Sequence, residues 1–198
     1  MSETTPTRAA VLELKDEQRA MHEGYVFLDE KCLLLAGEML RQLARHADLE
    51  RRLQAAHEAA MSALQAALAR HGLQGLQVQP AAGPGDSRVV RESRSLMGVP
   101  LQEAAWSAAG EPPAPAVNPS PEVRACRAAF DAMFAAAVPL AAVTGNLERL
   151  SQEYRRSVRR ARALQDVLLP ELGRSIRGIE TRLEELEQEE AVLMRRRA

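Results

Sequence analysis

The chain has 198 residues, of which 46% are apolar and only 3% aromatic, and its formal net charge is −1. That length gives room for one domain, or for one elongated element with a small one beside it, and the scarcity of large side chains argues against a large globular core. The near-zero charge excludes a whole-protein electrostatic attraction to nucleic acid or to anionic lipid.

The polar N-terminus, MSETTPTR, has no apolar core of the kind a secretion signal carries. Thr5-Pro6 reads as a helix cap followed by proline at the first helical position. An amphipathic pattern then sets in, with Leu14, Met21, Leu28 and Leu35 seven apart and Tyr25, Cys32 and Met39 interleaved; Gln18 is the exception on that seam. Beyond Leu43 the pattern changes phase and continues through Leu53, Ala60, Leu64 and Leu68. His71-Gly72 is a stop signal. The spacing therefore predicts one helix over residues 6–71, about 100 Å long at 1.5 Å per residue.

From Gly72 the character changes. Gly83-Pro84-Gly85-Asp86 is a turn signal, Arg88 to Arg91 fits a short strand, and SLMGVPL at 95–101 is the compact apolar patch of this stretch. The run EPPAPAVNPSP, residues 111–121, is expected to be extended linker. Residues 72–121 are thus expected to form a small irregular middle region.

Helix resumes near Glu122 and is expected to reach residue 195, about 110 Å on, kinked near Pro139 and again near Pro170. Apolar or small residues recur at 147, 151, 154, 158, 161, 165 and 168, then at 172, 176, 179, 183, 186, 190 and 193. Steps of three and four make this a heptad-like seam. The two registers join through 168, 172 and 176, a stutter that relaxes left-handed supercoiling. Two long helices of nearly equal length imply an all-α fold in which they lie back to back as an antiparallel two-helix coiled coil. The longest apolar run, Ala132 to Val143, is twelve residues and contains Pro139, so no segment is expected to span a bilayer.

The motifs of catalysis are missing. There is no Gly-Lys dipeptide and hence no phosphate-binding loop of that class, no GxGxxG and no GxSxG. His22, His46, His57 and His71 lack the Glu that a di-iron bundle sets three residues before each histidine. Cys32 and Cys126 lack metal-ligand spacing and suit a reducing cytoplasm. No catalytic residue, cofactor or metal site is expected. What stands out instead is charge banding. Arg155, Arg156, Arg159, Arg160 and Arg162 surround the seam without occupying it, and Glu184, Glu185, Glu187, Glu189 and Glu190 follow before Arg195 to Arg197. The arginines fit a solvated face paired with acids of the facing helix or of a partner, or a docking surface for a specific protein. Nucleic-acid binding is disfavoured because no aromatics interleave.

Two stretches carry a resemblance. PTRAAVLELKDEQRAMHEGYVFLDEK, with Pro6, Thr7, Arg8, Gly24, Leu28 and Lys31, resembles the opening of the D subunit of the V-type and archaeal-type (V/A-type) rotary ATPases. RRARALQDVLLPELGRSIRGIETRLEELEQEE resembles that family's C-terminal helix, with Arg162 and Gln165 where the family usually has Asn and Glu. The resemblance covers 6–45 and 145–195. It implies a non-catalytic central-stalk rotor subunit, cytoplasmic and peripheral to the membrane through its complex. It would couple ATP hydrolysis or synthesis in a catalytic head to ion translocation in a membrane ring. The implied partners are the A and B subunits of the catalytic head, the small F subunit of the stalk, and a stalk adaptor, the C (or d) subunit. Candidate partner-binding residues are Pro6, Thr7, Arg8, Arg155, Arg156, Arg159, Arg160, Arg162 and Arg195. The alternative on the seams alone is a non-rotary coiled-coil scaffold or adaptor. A helix pair lying on membranes is disfavoured by the narrow, alanine-rich seams.

Overall fold

The structure, a computed structural model of the chain, describes residues 6–80, 87–108 and 119–197. It is mostly helical. In chain order the elements are α1 (Arg8–Gln77), β1 (Ser87–Leu96), β2 (Val99–Ala108), α2 (Pro121–Ala163), a π-helical turn (Leu164–Leu168) and α3 (Leu169–Arg197). They fall into two compact units, Met1–Leu34 with Glu153–Ala198, and Leu35–Gln152.

In the first unit α1 starts one residue after its cap. The Ala10 amide donates to Thr7 Oγ1 at 3.1 Å, which makes Thr7 the N-cap. The cap expected at Thr5 is thereby moved; Thr5 itself lies outside the described residues, and Pro6 precedes the cap instead of opening the helix. Val11, Ile176 and Ile179 are buried together at 7%, 6% and 8% exposure, with Leu14 and Leu183 packed against them. Side chains of this size contribute roughly 1.5–3 kcal/mol each when fully buried, so this cluster holds α1 to α3.

The C-terminal seam is only partly the expected one. After the π-turn it follows Leu172, Ile176, Ile179 and Leu183, but Leu186 and Leu193 are exposed. Before the turn, Gln165 and Leu168 face solvent, whereas Ser157 and Ala161 are buried. An apolar count overlooks Ser157, since a small hydroxyl residue can sit where two helices approach closely. At the expected stutter the Leu169 amide donates to Leu164 O, one residue farther back than in an α-helix. Pro170 has no amide to give and its ring crowds the carbonyl four residues earlier, and widening one turn relieves both effects.

The second unit corrects the expectation of an irregular middle region in an all-α chain. β1 and β2 form an antiparallel hairpin with ten facing pairs, from Ser87↔Ala108 to Leu96↔Val99. Met97 and Gly98 make its two-residue turn with φ of 49° and 84°. Two successive positive φ values define a type I′ turn, the one whose twist matches that of the strands it joins. The short strand expected at Arg88 to Arg91 lies within β1, but the sequence hides its full length and its partner, because SRVVRESRSL does not alternate apolar with polar. Among the described hairpin side chains only Val99 and Leu101, in β2 near the turn, are deeply buried, at 4% and 1% exposure.

α1 leaves helical geometry at Gly72 (φ 67°, ψ 172°) and resumes it to Gln77. A positive φ of this size is unstrained only for glycine. α2 runs as one helix through Pro139 and Gly145, and a π-helical turn follows it at Leu164–Leu168. The helical run Pro121–Arg196 also contains an 18-residue window of mean hydropathy 1.5, enough by length and composition to cross a membrane. That corrects the expectation that no segment qualifies: counting only unbroken apolar residues ignores that a window tolerates an isolated Asp131 and Pro139.

Candidate functional site

Within the first unit three ion pairs connect α1 to the C-terminal helices. Arg8 meets Glu187 at 2.6 Å, Lys15 meets Glu180 at 2.7 Å, and Lys31 meets Glu153 at 2.6 Å. The partners run in opposite chain order, so residues early in α1 pair with residues late in α3. Lys15 and Lys31 are the only lysines in the chain, and both are used here. The Arg8 pair is solvated, with side chains 83% and 58% exposed, and such pairs contribute little to stability. Its effect is local: the hydrogen bond from Arg8 to Glu187 favours the charged guanidinium and raises its pKa. The Lys31 pair is different, because its side chains are only 14% and 23% exposed. The Lys31 hydrogen bond holds the Glu153 carboxyl below its ordinary range against the opposing effect of burial. Nearby, burial pushes the Cys32 thiol up, favouring its protonated form.

The residues singled out from sequence divide between two places. Pro6 is half-buried, Thr7 caps α1 and Arg8 bridges to Glu187. Beside them an open groove of about 540 Å³ is lined by Val11, Leu12, Leu183 and Glu184 among others. Arg195 is exposed near the end of α3. The arginines 155, 156, 159, 160 and 162 are all exposed on α2. None of the five has a hydrogen bond or ion pair among the described residues; Arg156 and Arg160 act on Glu153 only as neighbouring charges. Of the two readings given to this face, pairing with acids of the facing helix is therefore not seen among the described residues.

The polar network of the second unit was not read from sequence. Glu38 is 2% exposed, yet it accepts hydrogen bonds from Gln42 (2.8 Å), from Arg41 (3.0 Å) and from Arg94 of β1 (2.6 Å). Burial raises its pKa, but these hydrogen bonds outweigh burial and hold it below the ordinary carboxylate range. Arg45 adds a pair to Glu103 of β2 at 3.1 Å. From α2, Asn146 accepts from the Gln102 amide and donates to the Gln102 carbonyl, both at 2.8 Å. Arg149 donates to Pro100 O at 2.9 Å and to Asn146 Oδ1 at 2.7 Å. At the other end of the unit His71 Nε2 lies 2.7 Å from Ser120 Oγ, which donates to Glu122 at 2.9 Å. Glu122 also pairs with Arg70 at 3.1 Å. The signal for these contacts lay in the seam itself: Glu38, Gln42 and Asn146 stand at inward helical positions where an apolar residue is the norm. Among the described residues no group of three or more His, Cys, Asp or Glu side chains is placed to hold a metal ion.

The model of the family described as the ATP synthase D subunit matches residues 10–197. The D subunit of the A-type ATP synthase of Thermococcus gammatolerans is 29% identical over 195 residues, covering 96% of this chain and 91% of the relative. The D subunit of the V-type ATP synthase of Thermotoga neapolitana is 24% identical over 192 residues, covering 96% and 95%. Its A-type counterpart in Methanopyrus kandleri is 27% identical over 199 residues, covering 99% and 86%.

Proposed function

Because the chain belongs to the ATP synthase D-subunit family, whose members are stalk subunits and not the catalytic ones, we propose that it is the central rotor shaft of a V/A-type ATPase or ATP synthase. In this reading α1 lies against α2 and α3 as an antiparallel coiled coil. The observation that carries it is the opposite chain order of the three ion pairs Arg8–Glu187, Lys15–Glu180 and Lys31–Glu153. An asymmetric shaft turning inside a ring offers different faces to successive catalytic sites, so nucleotide turnover and rotation become linked through differential contacts. The paired ends near Arg8 and Arg195 would face the A and B subunits of the catalytic head. The middle region would face the membrane sector through the adaptor, the C (or d) subunit, with the small F subunit beside the helices. Proton or sodium movement then belongs to the membrane ring, and the chain remains on the cytoplasmic side.

Co-purification of the full chain with the head subunits and the F subunit tests the reading; association with neither would leave a non-rotary scaffold as the better account. Deleting residues 1–12 and 188–198 is expected to weaken the coupling of ATP hydrolysis to ion pumping while leaving attachment to the adaptor intact. Unchanged ATP-driven pumping by that truncated chain would contradict the shaft mechanism.

A further inference from the structure

Five exposed arginines have no hydrogen-bond or ion-pair partner among the described residues. In an ideal helix with 3.6 residues per turn, Arg155, Arg159 and Arg162 fall within an arc of about 60°, and Arg156 and Arg160 widen it to about 160°. The buried Ser157 and Ala161 and the half-buried Tyr154 and Val158 take the opposite side of α2. Arg155–Arg159 and Arg156–Arg160 are like-charged neighbours one turn apart, a spacing that disfavours the helix. Residues 154–163 include no acid to offset them, and the carboxylate just before them, Glu153, is held by Lys31 at 2.6 Å. The face therefore carries self-repulsion that no ion pair among the described residues offsets, Glu153 acting on Arg156 and Arg160 only as a neighbouring charge. Docking an opposite charge would relieve it.

We propose that this arginine face of α2 seats an acidic protein surface, a cluster of Asp and Glu side chains on another subunit of the complex; the inference rests on the stalk-subunit reading above. Guanidinium forks suit the occupant, since they grip carboxylates through two parallel hydrogen bonds. A nucleic-acid strand fits less well: no aromatic side chain interleaves with the arginines on the exposed face, and the rest of the chain brings the net charge to −1.

The test uses the full-length chain and the ATPase complex assembled from its other subunits, with binding measured from about 50 mM to about 500 mM salt. The R155E/R159E/R162E variant is expected to bind roughly 100-fold more weakly at low salt and to lose most of the salt dependence. The R155K/R159K/R162K variant is expected to stay within about tenfold of the native chain. Native-like binding by the charge-reversed variant at every salt concentration would overturn the inference, as would a lysine variant that loses as much as the glutamate one. So would a reversal that spares complex binding but abolishes binding to a single-stranded RNA oligonucleotide. If the native chain fails to join the complex at all, the stalk reading falls, and the inference with it. Circular dichroism of each variant separates lost contact from lost helix. Should the reversal unfold α2, R155Q/R159Q/R162Q takes its place, with a loss of salt-dependent binding again expected.

Discussion

Replacing Glu38 tests whether the buried polar network holds the second unit together. The carboxylate is 2% exposed and receives hydrogen bonds from Gln42, Arg41 and Arg94. Hydrogen bonds to a charged group contribute about 1.5–3 kcal/mol each, and stripping one partner from a buried pair costs about 3–5 kcal/mol. Those figures must be reduced here, because the side chains of Arg41 and Arg94 are 71% and 50% exposed and can turn back to water. The group left stranded is the Gln42 amide, on a residue 5% exposed whose Oε1 already lacks a partner. Glu38→Ala is therefore expected to cost about 3 kcal/mol, and the isosteric Glu38→Gln about 2 kcal/mol. In a chain of this size that lowers Tm by about 6–12 °C and 4–8 °C respectively. The pH dependence has a definite sign. Glu38 is held below its ordinary pKa when folded, so its contribution is complete above the unfolded value of about 4.3 and is lost as pH falls through the folded one. Urea unfolding followed by circular dichroism at pH 7 and pH 3 should show the gap between native chain and Glu38→Gln closing at the lower pH. A Gln variant within about 0.5 kcal/mol of native at pH 7, or a gap unchanged at pH 3, refutes the reasoning.

Three further outcomes are expected. Asn146→Ala removes both bonds to the Gln102 backbone, and amide exchange at Gln102 should accelerate roughly 30-fold or more, the equivalent of about 2 kcal/mol of local opening. Lys31→Met leaves Glu153 half-buried and unpaired and should cost about 2 kcal/mol; adding Glu153→Leu should recover most of it in thermal unfolding, since an apolar pair replaces a buried ion pair at little cost. Thr7→Ala deletes the α1 cap and should lower stability by about 1 kcal/mol, while Thr7→Ser stays near native by the same measurement.

The long helices were legible because burial on a helix repeats: Leu14, Met21, Leu28 and Leu35 announced the inward face of α1, and Ile176 and Ile179 that of α3. A break in regular helix near residues 166–173 was legible from Pro170, which supplied the physical cause of the π-turn beside it. The arginine face could be located but not interpreted. Whether Arg155 or Arg159 had an acid opposite it depends on which residues of another helix come near, and periodicity is silent on that. Lys31 and Glu153 show the reverse case, a pair 122 positions apart in sequence whose two members each look like ordinary surface charges until α1 and α2 are placed together.

A strand was legible at Arg88 to Arg91, but its pairing into a hairpin was not, for a deeper reason. A two-stranded sheet is marginally stable in water, because each strand leaves one row of backbone groups without a sheet partner. β1 and β2 compensate only in part with apolar burial, since Val99 and Leu101 are buried and Trp106 stacks on Phe134 at 5.2 Å between ring centroids, whereas Val89 and Val90 are 44% and 45% exposed. Side chains from the helices do part of the work that a third strand would do. Asn146 meets the amide and the carbonyl of Gln102 as a neighbouring strand would, and Arg149 satisfies the carbonyl of Pro100. On the β1 side Arg94 reaches the carboxylate of Glu38. A helix that anchors a hairpin in this way must place amide, guanidinium and carboxylate groups at inward positions. Its apolar seam then breaks where the hairpin docks, so the gap left by Glu38 and Gln42 in α1, and by Asn146 in α2, is the sequence mark of a sheet lying against the helices.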